Sequence, residues 1–335
     1  MKHVKYTLLT SILVATAAVS NSANAADNTL TIYTYDSFAS DWGPGPKIEQ
    51  AFEAKCGCDV NFVTLDDGVS ILNRLRLEGS STKADIVLGL DNNLMSEAKS
   101  TGLLAKHSVD TQAVTVPNGW NDEVFVPYDY GYFAFVYNKT QLSNPPTSLK
   151  ELVEKRDDLK IIYQDPRTST PGQGLLLWMK SVYGDQSPAA WQQLAQKTVT
   201  VTKGWSEAYS MFLEGEADMV LSYTTSPAYH LIAEQDDHYA AANFSEGHYT
   251  QVEVAAKVAS SAHPQLADQF MAFILSPEFQ GVIPTTNWMY PAMDVALPEG
   301  FSSLTIPSKA LSFSDQQVAE KRKAWIREWR NALTQ

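Results

Sequence analysis

Tyr35, Trp42, Trp205, Tyr223, Tyr229 and Trp288 stand in or beside loops that interrupt short apolar runs, with carboxylates and hydroxyls next to them. Aromatic faces attract positive charge and a carboxylate neutralises it, so such loops suit a flat organic cation. The run YTYDSFASDWGPGP over 33–46 is the densest case, with Tyr35, Asp36, Phe38, Asp41 and Trp42 close together. Tyr33 and Phe38 fit strand core equally well. Trp42 does not, because Gly43, Pro44, Gly45 and Pro46 follow it and break any regular strand.

Three further stretches offer polar groups. In the loop 66–70, Asp67 and Gly68 precede a helical pattern. Asp67 either caps that helix or faces a ligand amine or positive charge. In 165–174, Ser169 and Thr170 stand between a strand and an apolar helix, where free N–H groups form an anion site. No Gly-Lys-Ser/Thr follows, so this is not a Walker loop. Ser169 or Thr170 as a plain N-cap, with Pro171 at the first helical position, is the competing reading. In 222–230, Tyr223, Thr224, Thr225, Ser226 and Tyr229 follow a strand and open a helix. Tyr229 also fits helix core. Trp205 opens a helix after Gly204, and Trp288 lies in a loop before Pro291. Catalytic signatures such as H-E-x-x-H, G-x-S-x-G or a nucleotide loop are missing, and the six histidines are scattered. No metal site, cofactor or catalytic residue is expected.

The bulk properties bound the class. The chain has 335 residues, 44% hydrophobic and 19% charged, as a globular protein does. Residues 1–25 read as a cleavable export signal: Lys2 and Lys5, an apolar stretch, then Ala23-Asn24-Ala25. The formal charge of −13 becomes −15 when Lys2 and Lys5 are removed. That acidity excludes nucleic acid as a partner and is compatible with a cationic ligand. Cys56 and Cys58 are the only cysteines, and in an oxidising compartment a small-loop disulfide is the simplest reading.

Strands at 30–34, 60–65 and 84–90 alternate with helices near 47–55, 70–78 and 93–100. This β-α-β-α-β order predicts a mostly parallel sheet, with ligands beyond the carboxyl ends of its strands. The aromatic stretch 124–137 crosses to a second α/β unit, and a strand at 251–256 crosses back. Helices are expected at 149–155, 172–183, 206–214, 268–275 and 314–333. The division is 26–127 and 246–285 in a first lobe, 128–245 in a second, and 286–335 as a C-terminal segment packed on the second. Two α/β lobes joined by more than one crossover describe a hinged protein with an interlobe cleft.

With these pieces in place, the chain resembles the periplasmic thiamine-binding proteins of bacterial thiamine ABC importers. The resemblance rests on YTYDSFASDWGPGP at 33–46, DGVSILNRLR at 67–76, PYDYGYFAFVYNK at 127–139, IYQDPRTSTPG at 162–172, TVTKGWSEAY at 200–209, VLSYTTSPAYH at 220–230 and NWMYP at 287–291. It implies the type II periplasmic binding protein fold and a periplasmic location. The implied ligands are thiamine, thiamine monophosphate and thiamine diphosphate, and the implied partner is a membrane permease that receives them from a monomer. By matching motif it implies that Asp67 and Gly68 contact ligand from the first lobe and that Ser169 and Thr170 lie near a phosphate. Trp205, Tyr223, Thr224, Thr225 and Ser226 would line the second lobe's side, with Tyr35, Trp42, Tyr229 and Trp288 completing an aromatic enclosure. The competing readings are a receptor for Fe3+ or a polyamine, and a thiamine-degrading enzyme, which would need a nucleophile such as a cysteine in the cleft.

Overall fold

The computed structural model describes residues 28–334, so the export-signal reading of 1–25 lies outside the described residues. Among the described residues, eleven strands form a mixed sheet: β1 (Thr29–Tyr35), β2 (Asp59–Leu65), β3 (Ile86–Asp91), β4 (Phe125–Asn138), β5 (Ile161–Gln164), β6 (Thr198–Thr202), β7 (Met219–Tyr223), β8 (Tyr239–Ala241), β9 (His248–Lys257), β10 (Tyr290–Pro291) and β11 (Ala310–Leu311). The main order is β2-β1-β3-β9-β4-β7-β5-β6. β2, β1 and β3 are parallel to one another, as are β7, β5 and β6. Between these groups lie β9 and β4, each antiparallel to its neighbours on this path.

β4 and β9 make the molecule bilobal. Phe125, Val126 and Tyr128 of β4 lie in a first core with Leu30, Ile86 and Phe270, whereas Phe133 and Phe135 lie in a second with Trp178 and Trp191. Val252 and Val254 of β9 likewise join the first core, and Tyr249 the second. Strands buried on both faces read as continuous apolar runs, which is why β3 is buried throughout. The fold is the type II periplasmic binding protein fold, two α/β lobes around a cleft.

Several local features depart from the sequence reading. The expected loop 36–42 begins with a short helix, Asp36–Ala39, seated on buried Phe38. β9 starts at His248 rather than 251, because His248 and Tyr249 pair with the two-residue strand β11. Such a pairing has no periodicity to reveal it. Met289 and Ala292 lie in the first core, so that core reaches past residue 285. The C-terminal helix Asp315–Leu333 buries Val318, Trp325 and Trp329 in the second core, yet its Arg322 reaches the first lobe. Arg322 donates to Glu97 at 3.1 Å, to the Pro166 carbonyl at 3.3 Å and to Gln173. Arg76 donates to the other oxygen of Glu97 at 2.7 Å. Burial pushes the Glu97 carboxyl up, but Arg322 and Arg76 outweigh that and hold it below the usual carboxylate range.

Candidate functional site

A cavity of about 310 Å³ opens between the lobes, beyond the carboxyl ends of β1, β2 and β7. That is room for a small heteroaromatic molecule. Aromatic rings wall it from both lobes. Trp42 faces Trp205 with centroids 6.4 Å apart, and Trp205 stacks on Tyr209 at 4.8 Å. Tyr229 meets Trp288 edge-on at 5.5 Å. Tyr35 and Tyr223 lie deeper. Asp36, Asp66, Asp67 and Glu253 also line the space, and among the described residues no lysine or arginine does.

Local structure explains how the rings are aimed. Tyr35 ends β1, and its ring lies where a β-carbon on Gly89 would come within 2.3 Å. Gly89 has φ +110°, at a bulge in the pairing of β3 with β9, so only glycine suits that position. Trp205 opens the helix Trp205–Leu213, and its indole N–H donates to Ser222 Oγ at 2.7 Å, which fixes the ring plane. Trp288 has φ +56°, a strained region for a bulky side chain, and strain of this kind gathers at functional sites. Trp42 forms the outer rim of the wall and is 53% exposed.

The lobes touch directly, and Asp67 is the main latch. It caps the helix Gly68–Glu78, with Oδ1 accepting from Gly68 N–H at 2.7 Å. Across the cleft, the same oxygen accepts from the Thr170 hydroxyl at 2.9 Å and its N–H at 3.3 Å, while Oδ2 accepts from the Ser169 hydroxyl at 2.8 Å. Burial pushes the Asp67 carboxyl up and these hydrogen bonds oppose it. Ser206 donates to Asp36 at 2.9 Å and Ser70 N–H to the Thr168 carbonyl at 3.0 Å. Gly204 lets the chains approach: a β-carbon there would lie 2.3 Å from the Asp66 carbonyl.

The expected residues therefore divide. Tyr35, Trp42, Asp67, Thr170, Trp205, Tyr223, Ser226, Tyr229 and Trp288 line the cavity. Gly68, Ser169, Thr224 and Thr225 do not. Gly68 is pressed against the Gly89 carbonyl and Thr170. Ser169 caps the helix Thr170–Tyr183, accepting from Gly172 N–H while donating to Asp67. Thr224 and Thr225 are buried under the wall, Thr225 against Met289 sulfur. The expected anion position at this helix N-terminus holds the Asp67 carboxylate. Cys56 and Cys58 are joined in a disulfide at the end of the helix Gly45–Cys56, and neither lines the cavity.

Sequence reasoning passed over Asn287 and Glu253. Asn287 Nδ2 donates to Asp129 Oδ2 at 2.6 Å, to Tyr35 Oη at 3.1 Å and to Glu253 Oε2 at 3.3 Å. Tyr35 Oη donates to Glu253 Oε2 at 3.0 Å, and its phenol is pushed well up by burial and then by Glu253. A signal existed: Glu253 and Asp129 are lone carboxylates inside apolar strands, where a charge is costly without purpose.

The model of the bacterial extracellular solute-binding protein family matches residues 38–281. A thiamine-binding periplasmic protein of Salmonella typhimurium is 65% identical over 305 residues, covering 91% of this chain and 93% of the relative. A protein of the same name from Escherichia coli is 64% identical over the same shares. A solved periplasmic thiamin binding protein superposes with a TM-score of 0.91 at 64% identity, over 92% of this chain and 96% of that one. A ferric binding protein from Campylobacter jejuni, at 21% identity, shares the fold with a TM-score of 0.74. The chain belongs to the bacterial extracellular solute-binding protein family.

Proposed function

We propose that this chain is a periplasmic receptor that encloses thiamine between its lobes and hands it to the membrane permease of an ABC importer. It is a binding protein, not an enzyme. The observation that carries the reading is a cavity walled by rings from both lobes and supplied with carboxylates but no basic side chain. Thiamine pairs a permanently cationic thiazolium with a flat aminopyrimidine. Each ring face over the cation contributes ~0.5–2 kcal/mol, more as water is excluded. Nanomolar affinity needs about 12 kcal/mol, so several rings and closure must act together. The receptor works as a single chain.

The phosphate esters are a finer part of this proposal. An ester phosphate suits the donors on Ser169, Thr170 and Gly68, but it reaches them by displacing Asp67 from the helix N-terminus. Free thiamine needs no such exchange.

An iron receptor would need hard oxygen and nitrogen ligands converging in the cavity. Among the described residues, the one group of His, Cys, Asp and Glu side chains close enough to share an ion is Asp236, Asp237 and His238, none of which lines the cavity. Titration of ligand-stripped protein with thiamine tests the proposal. A saturable quench of tryptophan fluorescence at submicromolar ligand, with intact thiamine recovered, is expected. A null response, repeated by calorimetry, removes thiamine as the ligand.

A further inference from the structure

Asp129 and Glu253 face each other in register on β4 and β9, the two strands that pass between the lobes. Directly opposed residues of an antiparallel pair share one face of the sheet, so their carboxyls meet. A bulge in β4 between Pro127 and Asp129 turns the strand here. Asp129 is fully buried, and its Oδ1 has no hydrogen-bond donor. Glu253 is 5% exposed, and that exposure is to the cavity it lines. Its Oε2 accepts from Tyr35 and Asn287, and Asn287 also serves Asp129 Oδ2. The donors around the pair are thus spent on one oxygen of each residue, and a proton between the two carboxyls supplies what the orphaned Oδ1 lacks.

The surroundings favour that proton. Facing the pair are Tyr35 from β1, Asp91 from β3, Tyr128 from β4, Tyr223 from β7 and Asp67 from the start of the helix Gly68–Glu78. None of these is a cation. The nearby guanidinium of Arg322 acts on Asp91 and is engaged with Glu97 and Gln173. Burial first, and then the neighbouring Asp129 carboxyl, push Glu253 well up, and burial raises Asp129 to about 7 against the hydrogen bonds from Asn287 and Glu253. Two adjacent buried carboxylates cannot both ionise freely.

We propose that the Asp129–Glu253 pair is the cation-selecting element of the cavity, holding one proton when empty and releasing it to solvent when a cationic ligand enters. The inference rests on thiamine as ligand. The entering cation takes over the neutralising role of the proton, so charge in the cavity changes little on binding. A neutral molecule of the same shape cannot displace the proton and gains nothing from the pair. An anion meets a field that only opposes it.

Two readings on the full chain, purified without its ligand, test the pair. Infrared spectra of the empty protein at about pH 6.5 should show a carboxylic-acid carbonyl band that shrinks in Glu253→Gln. Calorimetric titration with thiamine, in two buffers of different ionisation heat, counts protons. Close to one should leave per ligand where the pair is protonated, falling toward none as pH rises past the pair's titration, with Kd weakening about tenfold per pH unit below it. In Glu253→Gln the release should vanish and the pH profile flatten; should that variant not fold, Asp129→Asn carries the same comparison. Tight thiamine binding without proton release overturns the proposal and leaves the thiamine reading intact. A missing acid band overturns the shared proton itself. No thiamine binding at any pH, with the band present, overturns thiamine as ligand and with it this coupling.

Discussion

At the scale of the residue, Asp67 shows how a side chain can be foreseen and its role misjudged. Its place after β2 and before a helix marks it as a cap, and it is one. Its partners Ser169 and Thr170 are about a hundred positions away, and no local pattern joins them. The same holds for Asp129, Glu253 and Asn287, which become neighbours only through the register of β4 and β9. The rings were readable because loops after strands are where an α/β sheet presents side chains, and Trp42, Trp205 and Trp288 have no apolar run to join. Asp67 carries a prediction about the esters. Asp67→Asn keeps the shape but removes a negative charge from the helix N-terminus that a phosphate would use. Thiamine monophosphate should then gain affinity relative to thiamine, by about 1 kcal/mol in the ratio. Parallel titrations of wild type and variant measure it, and an unchanged ratio would place the phosphate elsewhere.

At the scale of the element, the alternation of strands and helices was legible in both lobes. The helix Leu149–Lys155 falls on its expected bounds, and most other ends shift by a few residues as caps and pairings extend them. β8, β10 and β11 have two or three residues each and exist only because a long neighbour offers an edge. The C-terminal helix was foreseen as a helix, but its apolar stripe could not announce that Arg322 would bridge both lobes. Burying an ion pair gains little over apolar packing, whereas removing one partner strands the other. Arg322→Met should therefore destabilise the protein by about 3 kcal/mol, since Glu97 keeps Arg76 alone. Adding Glu97→Gln should restore part of that loss, as followed by denaturant unfolding. If the single variant unfolds like wild type, the bridge is decorative.

At the scale of the whole molecule, buried acids set how stability follows pH. Burial raises Asp129 to about 7 and Asp91 to about 6, and an acid whose folded pKa is raised binds protons more tightly folded than unfolded. Stability from such groups is full below about pH 4 and is lost as pH rises toward those values. His230 and His248, held down chiefly by burial, act in the opposite sense, losing stability as pH falls through about 6.5. Comparing Asp129→Asn with wild type cancels the histidines. The variant should gain melting temperature relative to wild type as pH rises from about 5 to 8, and a constant difference would mean that Asp129 is already ionised at acid pH. The placement of the acid pair on β4 and β9 has a mechanical side as well. They are the strands that cross between the two cores, so a hinge opening would turn about them, and points near an axis travel least. Trp42 and Trp205, out at the rim, sit at the end of the lever, and the same rotation sweeps them through the largest arc. An opening protein therefore loses its grip on the ligand's outer face while the charge-sensing floor is still nearly in place, so release runs from the rim inward.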